Sequence, residues 1–289
     1  MHQDPLFPEW NPAQREDEAE RLAELRAFDQ LGRLAERYRS SPAFGALLDF
    51  VIRMRGLSPY NAALLHLQKP GSTQVRTAAE WRALGRRVRP EARPALLLHP
   101  GGPLRFVFDL SETEGPPVAE TGPRPPSPDV EARLAASVQR LGGLGVEVAG
   151  PLFGPEPAGR LRRGEEAAGF VIHLEEARPE ERYATLVYEL GRLFLGHLGS
   201  CASCEPQSRP PPDEISGRFE AGAVAAIVCG RAGVPSSAGA FVHGYLQSFA
   251  EVPELSLDRV LSAAGRIERL GNGGARLLRQ RRTGFDDPD

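Results

Sequence analysis

Within Tyr183 to His197, YATLVYELGRLFLGH, a single carboxylate sits in an apolar helical rhythm, where it could serve as a general base. Two histidines at i and i+4, with a glutamate after the first, would hold zinc on one helix face and leave the glutamate to activate a metal-bound water. Those five positions read Tyr188, Glu189, Leu190, Gly191 and Arg192. The base position is kept and both ligand positions are changed. Arginine has no lone pair to donate and stays protonated, and a neutral phenol is a poor zinc ligand. Glu189 without a polarised water has nothing to activate. The residues present fit a different chemistry, a charge-assisted pair of Glu189 with Arg218, or with Arg192 at i+3. Two readings of this cluster stand side by side. One is a charge-paired core, because buried charges persist only when paired; the other is an anion-binding pocket.

A second set of donors follows at once. His197, Cys201 and Cys204 form H-x3-C-x2-C, but a zinc site needs a second ligand pair at proper spacing and none follows. The expectation is two unpaired loop thiols, with His197 as a helix C-terminal residue meeting the helix dipole. Cys229 lies in an apolar helical run and reads as core. No metal or other cofactor is expected.

The cations are unevenly placed. Between Ile52 and Phe106, ten basic residues stand against Glu80 and Glu91, or +8, so the rest of a chain of net charge −3 carries −11. Such asymmetry points to an anionic partner. Lys69 is the only lysine, so arginine is this chain's default cation and signals nothing by itself. For single-stranded nucleic acid, the chemistry is a basic groove along the phosphates with aromatic faces for unpaired bases. Candidate contacts are Arg76, Arg82, Arg86, Arg87 and Arg89, with Gln68 and Lys69 at a helix end nearby. Tyr60 is the better stacking ring. Trp81, mid-helix beside Ala78 and Leu84, is read as core or as a stacking platform, and Asn61 as a contact or a backbone-bonding turn residue.

The elements that must position these residues follow from periodicity. Helices are predicted over Gln14 to Tyr38, Ala43 to Met54, from Ser58-Pro59 to Leu67, and Ala78 to Arg87. Strands are predicted at Thr73 to Thr77, Ala95 to His99 and Arg105 to Leu110, the last two forming a hairpin about Pro100-Gly101-Gly102-Pro103. Six prolines between Ser111 and Asp129 predict an extended linker. Beyond it come a helix over Val130 to Leu141, strands at Val146 to Ala149 and Gly169 to Leu174, and the Glu189 helix from Pro179 to Leu198. Three further helices are predicted from Asp213, Ser236 and Ser256.

At 289 residues the chain is long enough for two domains of ordinary size or one large one, and at 41% hydrophobic and 25% charged it has the balance of a soluble globular protein. No apolar run approaches a membrane span, and the start, MHQDPLFPEW, has no signal-peptide character, so a cytoplasmic location and no membrane are expected. Three cysteines are an odd number, against a disulfide scaffold.

Two resemblances add to this. Tyr183 to His197 with Glu220 to Val228, and the tail VPELSLDRVLSAAGRIERL, resemble the ImmA/IrrE-type zinc metallopeptidases. That resemblance implies a zincin-like fold, with the family's histidines falling on Tyr188 and Arg192, its base on Glu189 and its glutamate ligand on Arg218. All three ligand positions depart from the pattern. Ser58 to Arg89 resembles the N-terminal single-stranded-DNA-binding domain of ArdC-type antirestriction proteins, through Ser58 and Asn61, Leu65, Gln68 and Pro70, Trp81, and Gly85-Arg86. The family's lysine-glycine-rich turn is replaced here by Val88-Arg89-Pro90-Glu91-Ala92-Arg93.

The expected architecture is therefore α+β and mainly helical. Residues 1–110 would be an ArdC-like DNA-binding unit with N-terminal helices, 111–128 a linker, and 129–289 a pseudo-metallopeptidase domain. The expected function is non-catalytic, sequence-independent binding of single-stranded DNA, in DNA protection, repair or antirestriction. A first alternative is a regulatory module that holds a protein partner in an inactive peptidase cleft; a second is a zinc peptidase with shifted ligands.

Overall fold

The computed structural model describes residues 37–98, 104–118, 129–150, 160–163, 169–175, 177–198 and 212–271. The predicted first helix up to residue 36, the predicted turn Pro100-Gly101-Gly102-Pro103, the 119–128 part of the proline-rich stretch, Cys201, Cys204 and the chain after Gly271 lie outside them. The fold is α+β and mainly helical. Among the described residues no single helix is long and apolar enough to cross a membrane.

Contacts divide the chain into two units, one containing Ser72–Val118 and the other containing Arg37–Gly71 with the chain after Val118. The first unit is small and sheet-based. Its strands are β1 (Val75–Arg76), β2 (Arg87–Val88), β3 (Ala95–Leu97), β4 (Arg105–Asp109) and β5 (Thr113–Glu114), with one short helix, α3 (Ala78–Ala83), after β1. They make an antiparallel sheet in the order β1-β4-β3 and a separate β2-β5 pair. Thr77 starts α3 with a reciprocal capping box, its side chain accepting from the Glu80 N–H while Glu80 accepts from the Thr77 N–H. Trp81 is fully buried and its indole Nε1 donates to the Phe108 carbonyl at 2.9 Å, fastening α3 to β4. Buried Asp109 collects the backbone N–H groups of Thr73, Gln74 and Ser111, which closes the start of β1 onto the end of β4.

Regular structure runs past residue 111, where the linker was expected to begin. A 3₁₀ turn at Leu110–Glu112 leads into β5, which pairs with β2. Gly115 is required there. Its φ is 144°, and an added Cβ would come within 2.7 Å of the Gly85 carbonyl.

The second unit contains α1 (Ser41–Arg53), α2 (Pro59–Gln68), α4 (Val130–Leu141), β6 (Val146–Ala149), β7 (Arg160–Arg163), β8 (Phe170–His173), α5 (Pro179–Phe194), α6 (Glu214–Ala232), α7 (Ser237–Ser248) and α8 (Leu257–Gly271). The sheet order is β6-β8-β7, with β6 parallel and β7 antiparallel to β8. Helix α6 is the axis, packing on α5, α7, α8 and α1. It is apolar nearly all round, as a central helix must be. Its small residues permit close approach: a Cβ on Gly222 would stand 2.8 Å from Val242 Cγ2 and 3.0 Å from the Ala238 carbonyl. Buried Cys229 is core on this helix, and burial pushes its thiol up to about 12.

Helices α1 and α2 thus pack with α6 and α8, and not in a 1–110 unit as the sequence had implied. The physical reason is Arg231, near the end of α6. Its Nε donates to Glu268 at 2.6 Å, one terminal nitrogen to the carbonyls of Val51 (2.7 Å) and Met54 (3.2 Å), and the other to those of Arg55 (3.3 Å) and Leu57 (2.5 Å). The fork satisfies carbonyls that the C-terminus of α1 leaves open. Arg231→Lys keeps the charge but loses the fork. We expect it to lower unfolding free energy by about 3 kcal/mol or more, measured as a shift in the urea midpoint. A shift within error would show that the bonds to α1 contribute nothing.

Candidate functional site

The Glu189 cluster is built by α5 and α6. Helix α5 starts at Pro179, in the N1 position, with Glu180 and Glu181 in its first turn. Its apolar stripe of Tyr183, Leu186, Val187, Leu190 and Leu193 is buried, and this carries Glu189 inward with it at 3% exposure. The carboxylate takes Arg192 as its partner, with Arg192 Nη1 donating to Glu189 Oε2 at 2.9 Å on the same helix. The Leu161 backbone N–H of β7 also bonds Glu189. Of the two expected partners, the i+3 arginine is the one found. Arg218 instead places its guanidinium over the Phe241 ring, 4.0 Å from the centroid. Tyr188 is half-buried, and its phenol is held above the usual range mainly by burial, with Arg192 and Arg218 pulling the other way and Glu189 pushing it further up.

Burial also dominates at Glu189. Desolvation raises its carboxyl above the ordinary carboxylate range, and Arg192 and the Leu161 N–H only partly offset that. The donor set of Tyr188, Arg192 and Arg218 does not fit a divalent cation, because two of the three groups are permanent cations without lone pairs. Among the described residues no group of three or more histidine, cysteine, aspartate or glutamate side chains converges as a metal site.

One turn further along, the site contains a pair that sequence reasoning assigned differently. His197 does more than meet a helix dipole. Its Nε2 lies 2.8 Å from Glu220 Oε2, with the two side chains 7% and 1% exposed. Glu220 Oε1 accepts the Ser256 N–H at 2.8 Å. This staples the end of α5, the middle of α6 and the start of α8. The signal was available in the sequence, since a lone carboxylate inside the apolar run of α6 demands a buried partner. The half of the H-x3-C-x2-C motif carried by Cys201 and Cys204 lies outside the described residues.

The residues expected to contact DNA are divided between the two units. Tyr60, Asn61, Gln68 and Lys69 belong to the helical unit; Arg76, Trp81, Arg82, Arg86, Arg87 and Arg89 belong to the sheet unit. Tyr60 is half-buried, its phenol bonded to Asp258 and pushed far up by burial and that carboxylate. The Asn61 N–H caps α2 through Ser58 Oγ at 3.2 Å, Gln68 Nε2 donates to the Leu64 carbonyl at 2.9 Å, and the Lys69 N–H caps the other end of α2 on the Leu65 carbonyl. Fully buried Trp81 is core, which rules out stacking on its face from solvent. Arg86 is a structural clamp, donating to Thr113 Oγ1 and to the carbonyls of Thr113, Gly115 and Pro116. Arg89 pairs with Glu114 at 3.3 Å, an exposed bridge that contributes little. Arg76 lies 5.5 Å from the Trp81 ring, and Arg82 and Arg87 are exposed.

No protein-family model and no curated protein matches the chain. Among solved structures, it is similar to the Mn(II)-bound crystal structure of the antirestriction protein ArdC from plasmid R388, at 17% identity, with a TM-score of 0.38, over 78% of this chain and 85% of that one.

Glu189→Gln tests the electrostatics. A carboxyl whose folded pKa is raised binds protons more tightly when folded than when unfolded. Its contribution is therefore full below the unfolded value, about 4.3, and declines as pH rises through the folded value. The glutamine variant should lack this decline and match or exceed the wild type in urea at pH 8. Wild type that gains stability over the variant between pH 5 and pH 8 would show that the ion pair outweighs desolvation.

Proposed function

We propose that the protein is a non-catalytic, sequence-independent binder of single-stranded DNA, acting through the Ser72–Val118 unit. The observation that carries this is the charge left after internal pairing. The unit has seven arginines and five carboxylates. Asp109, Glu112, Glu80 and Glu114 are taken up by backbone N–H groups, by Arg105 and by Arg89. Arg76, Arg82 and Arg87 are left with no ion-pair partner among the described residues. Guanidiniums held this way attract a polyanion, and attraction through backbone charge does not read sequence. In this reading the Glu189 cluster is a paired charge network where a metal would otherwise join the helices, and it performs no hydrolysis. DNA protection, repair or antirestriction would each use such binding.

A second reading is favoured by a separate observation. Ile215 of α6 and Phe249, just past the end of α7, are 58% and 56% exposed; Tyr245 of α7 stacks on Phe249 at 4.3 Å, and Arg218 and Phe241 lie on the same two helices. That surface fits a regulatory module in which the degenerate cleft holds a protein partner. The zinc peptidase with shifted ligands is the remaining alternative, and stoichiometric zinc in the purified protein would support it.

Titration of labelled single-stranded and duplex oligonucleotides at several salt concentrations separates these readings. Tighter single-strand binding that weakens with salt is expected. The Arg82→Ala/Arg87→Ala double variant should reduce the log–log salt slope by about 1.4, at roughly 0.7 per single-strand phosphate contact. Failure to bind either oligonucleotide at low salt would end the proposal.

A further inference from the structure

The β1-β4-β3 sheet has two unlike faces. Successive side chains of a strand point to opposite sides. On one side of β4 lie Val107 and Asp109, 2% and 4% exposed, level with Ala95 and Leu97 of β3, at 0% and 2%. That side is the interior. On the other side lie Phe106 and Phe108, opposite Leu96 of β3 and Arg76 of β1. Leu96, Phe108 and Arg76 are half-buried, and Phe106 is 55% exposed.

A single exposed apolar side chain is ordinary on a protein surface. Phe106 differs in its setting. It stands on β4, the central strand of the sheet, level with Leu96 of β3, and not on a loop. The Trp81 indole holds that strand from α3 through the Phe108 carbonyl, so the ring is displayed on a fixed backbone. Two same-face residues on one strand are about 6.7 Å apart, so Phe106 and Phe108 can each meet a successive base. The cation opposite Phe108 is Arg76, one of the three guanidiniums without a carboxylate partner among the described residues.

We propose that this face is the base-binding surface of the sheet unit, with Phe106 as its principal stacking ring and Phe108 and Arg76 beside it. The inference rests on the reading of the unit as a single-strand binder, and it moves the aromatic contribution from Tyr60 and Trp81 to a residue of β4. The occupant is a run of unpaired nucleobases. Their flat apolar faces match exposed aromatic rings, and the phosphates that connect them match the unpaired guanidiniums. A duplex, with its bases stacked internally, offers no such faces.

The test uses the full-length protein, an oligo-dT strand and an abasic strand of equal length, which has the same charge without bases. Fluorescence polarisation should show tighter binding of oligo-dT. Phe106→Ala should weaken oligo-dT binding roughly 5- to 150-fold, the range of one lost aromatic–base stack, and leave abasic binding unchanged. Phe106→Trp should restore it. Circular dichroism confirms that the variants fold. Undiminished oligo-dT binding by Phe106→Ala, with the arginine double variant weakened, would overturn this face while the single-strand reading stands. Equal loss on both strands would also overturn it, since stacking has no bearing on the abasic strand. No binding of either strand by the wild type would overturn both.

Discussion

The guanidinium of Arg231 decides which helices belong together. It is 7% exposed, and a buried cation is tolerated only when its charge and its donors are all answered. Glu268 answers the charge, and four carbonyls between Val51 and Leu57 answer the donors. Those carbonyls belong to the end of α1 and the turn into α2, so the same bonds terminate α1 and bind the pair to α6 and α8. Unlike the apolar contacts of Phe44 and Leu47, which tolerate small shifts, this fork fixes the turn to within hydrogen-bonding tolerance.

The same rule runs through the helical unit. Glu189 is answered by Arg192 and a strand N–H; Glu220 is answered by His197 and the Ser256 N–H. Each carboxylate lies on the α5–α6 seam with a partner matched in position. The Leu161 N–H to Glu189 and the His197–Glu220 pair link secondary structures that a metal could otherwise join, and they do so with groups that need no cofactor. Arg218 is the exception, since it meets an aromatic ring in place of an anion and keeps its charge toward solvent.

Much of the fold was legible in the sequence because the periodic signals are strong. Helices α1, α2, α4, α5, α6 and α7 lie close to where the apolar spacing placed them, β4, β6 and β8 follow their β-branched and aromatic runs, and β3 follows its apolar run of alanine and leucines. What escaped has a common cause. β2 and β5 are two residues each, too short for any period, and β7 reads Arg-Leu-Arg-Arg, with one apolar side chain. The roles of Arg231, Glu220 and Arg86 depend on partners far away in the chain, and spacing along a sequence does not reveal these. The candidate site was legible at Glu189 and Arg192 because i+3 is a local relation. The arginines of the +8 segment fall in two units, and Arg86, Arg89 and Arg105 bond within the protein, which a count of charges along the sequence does not show.

The helical unit is interrupted in sequence, since the sheet unit lies between α2 and α4. This has a consequence for how the chain is made. The carbonyls that Arg231 must meet precede it by 174 to 180 residues. At a synthesis rate of about 5–20 residues per second, α1 and α2 emerge roughly 9 to 36 seconds before their partner exists. The sheet unit, whose bonds span no more than a few dozen residues, can close during that interval on the ribosome. Phe44, Leu47 and Leu48 meanwhile have no α6 to cover them, so the apolar face of α1 stays open until the second half of the chain is made.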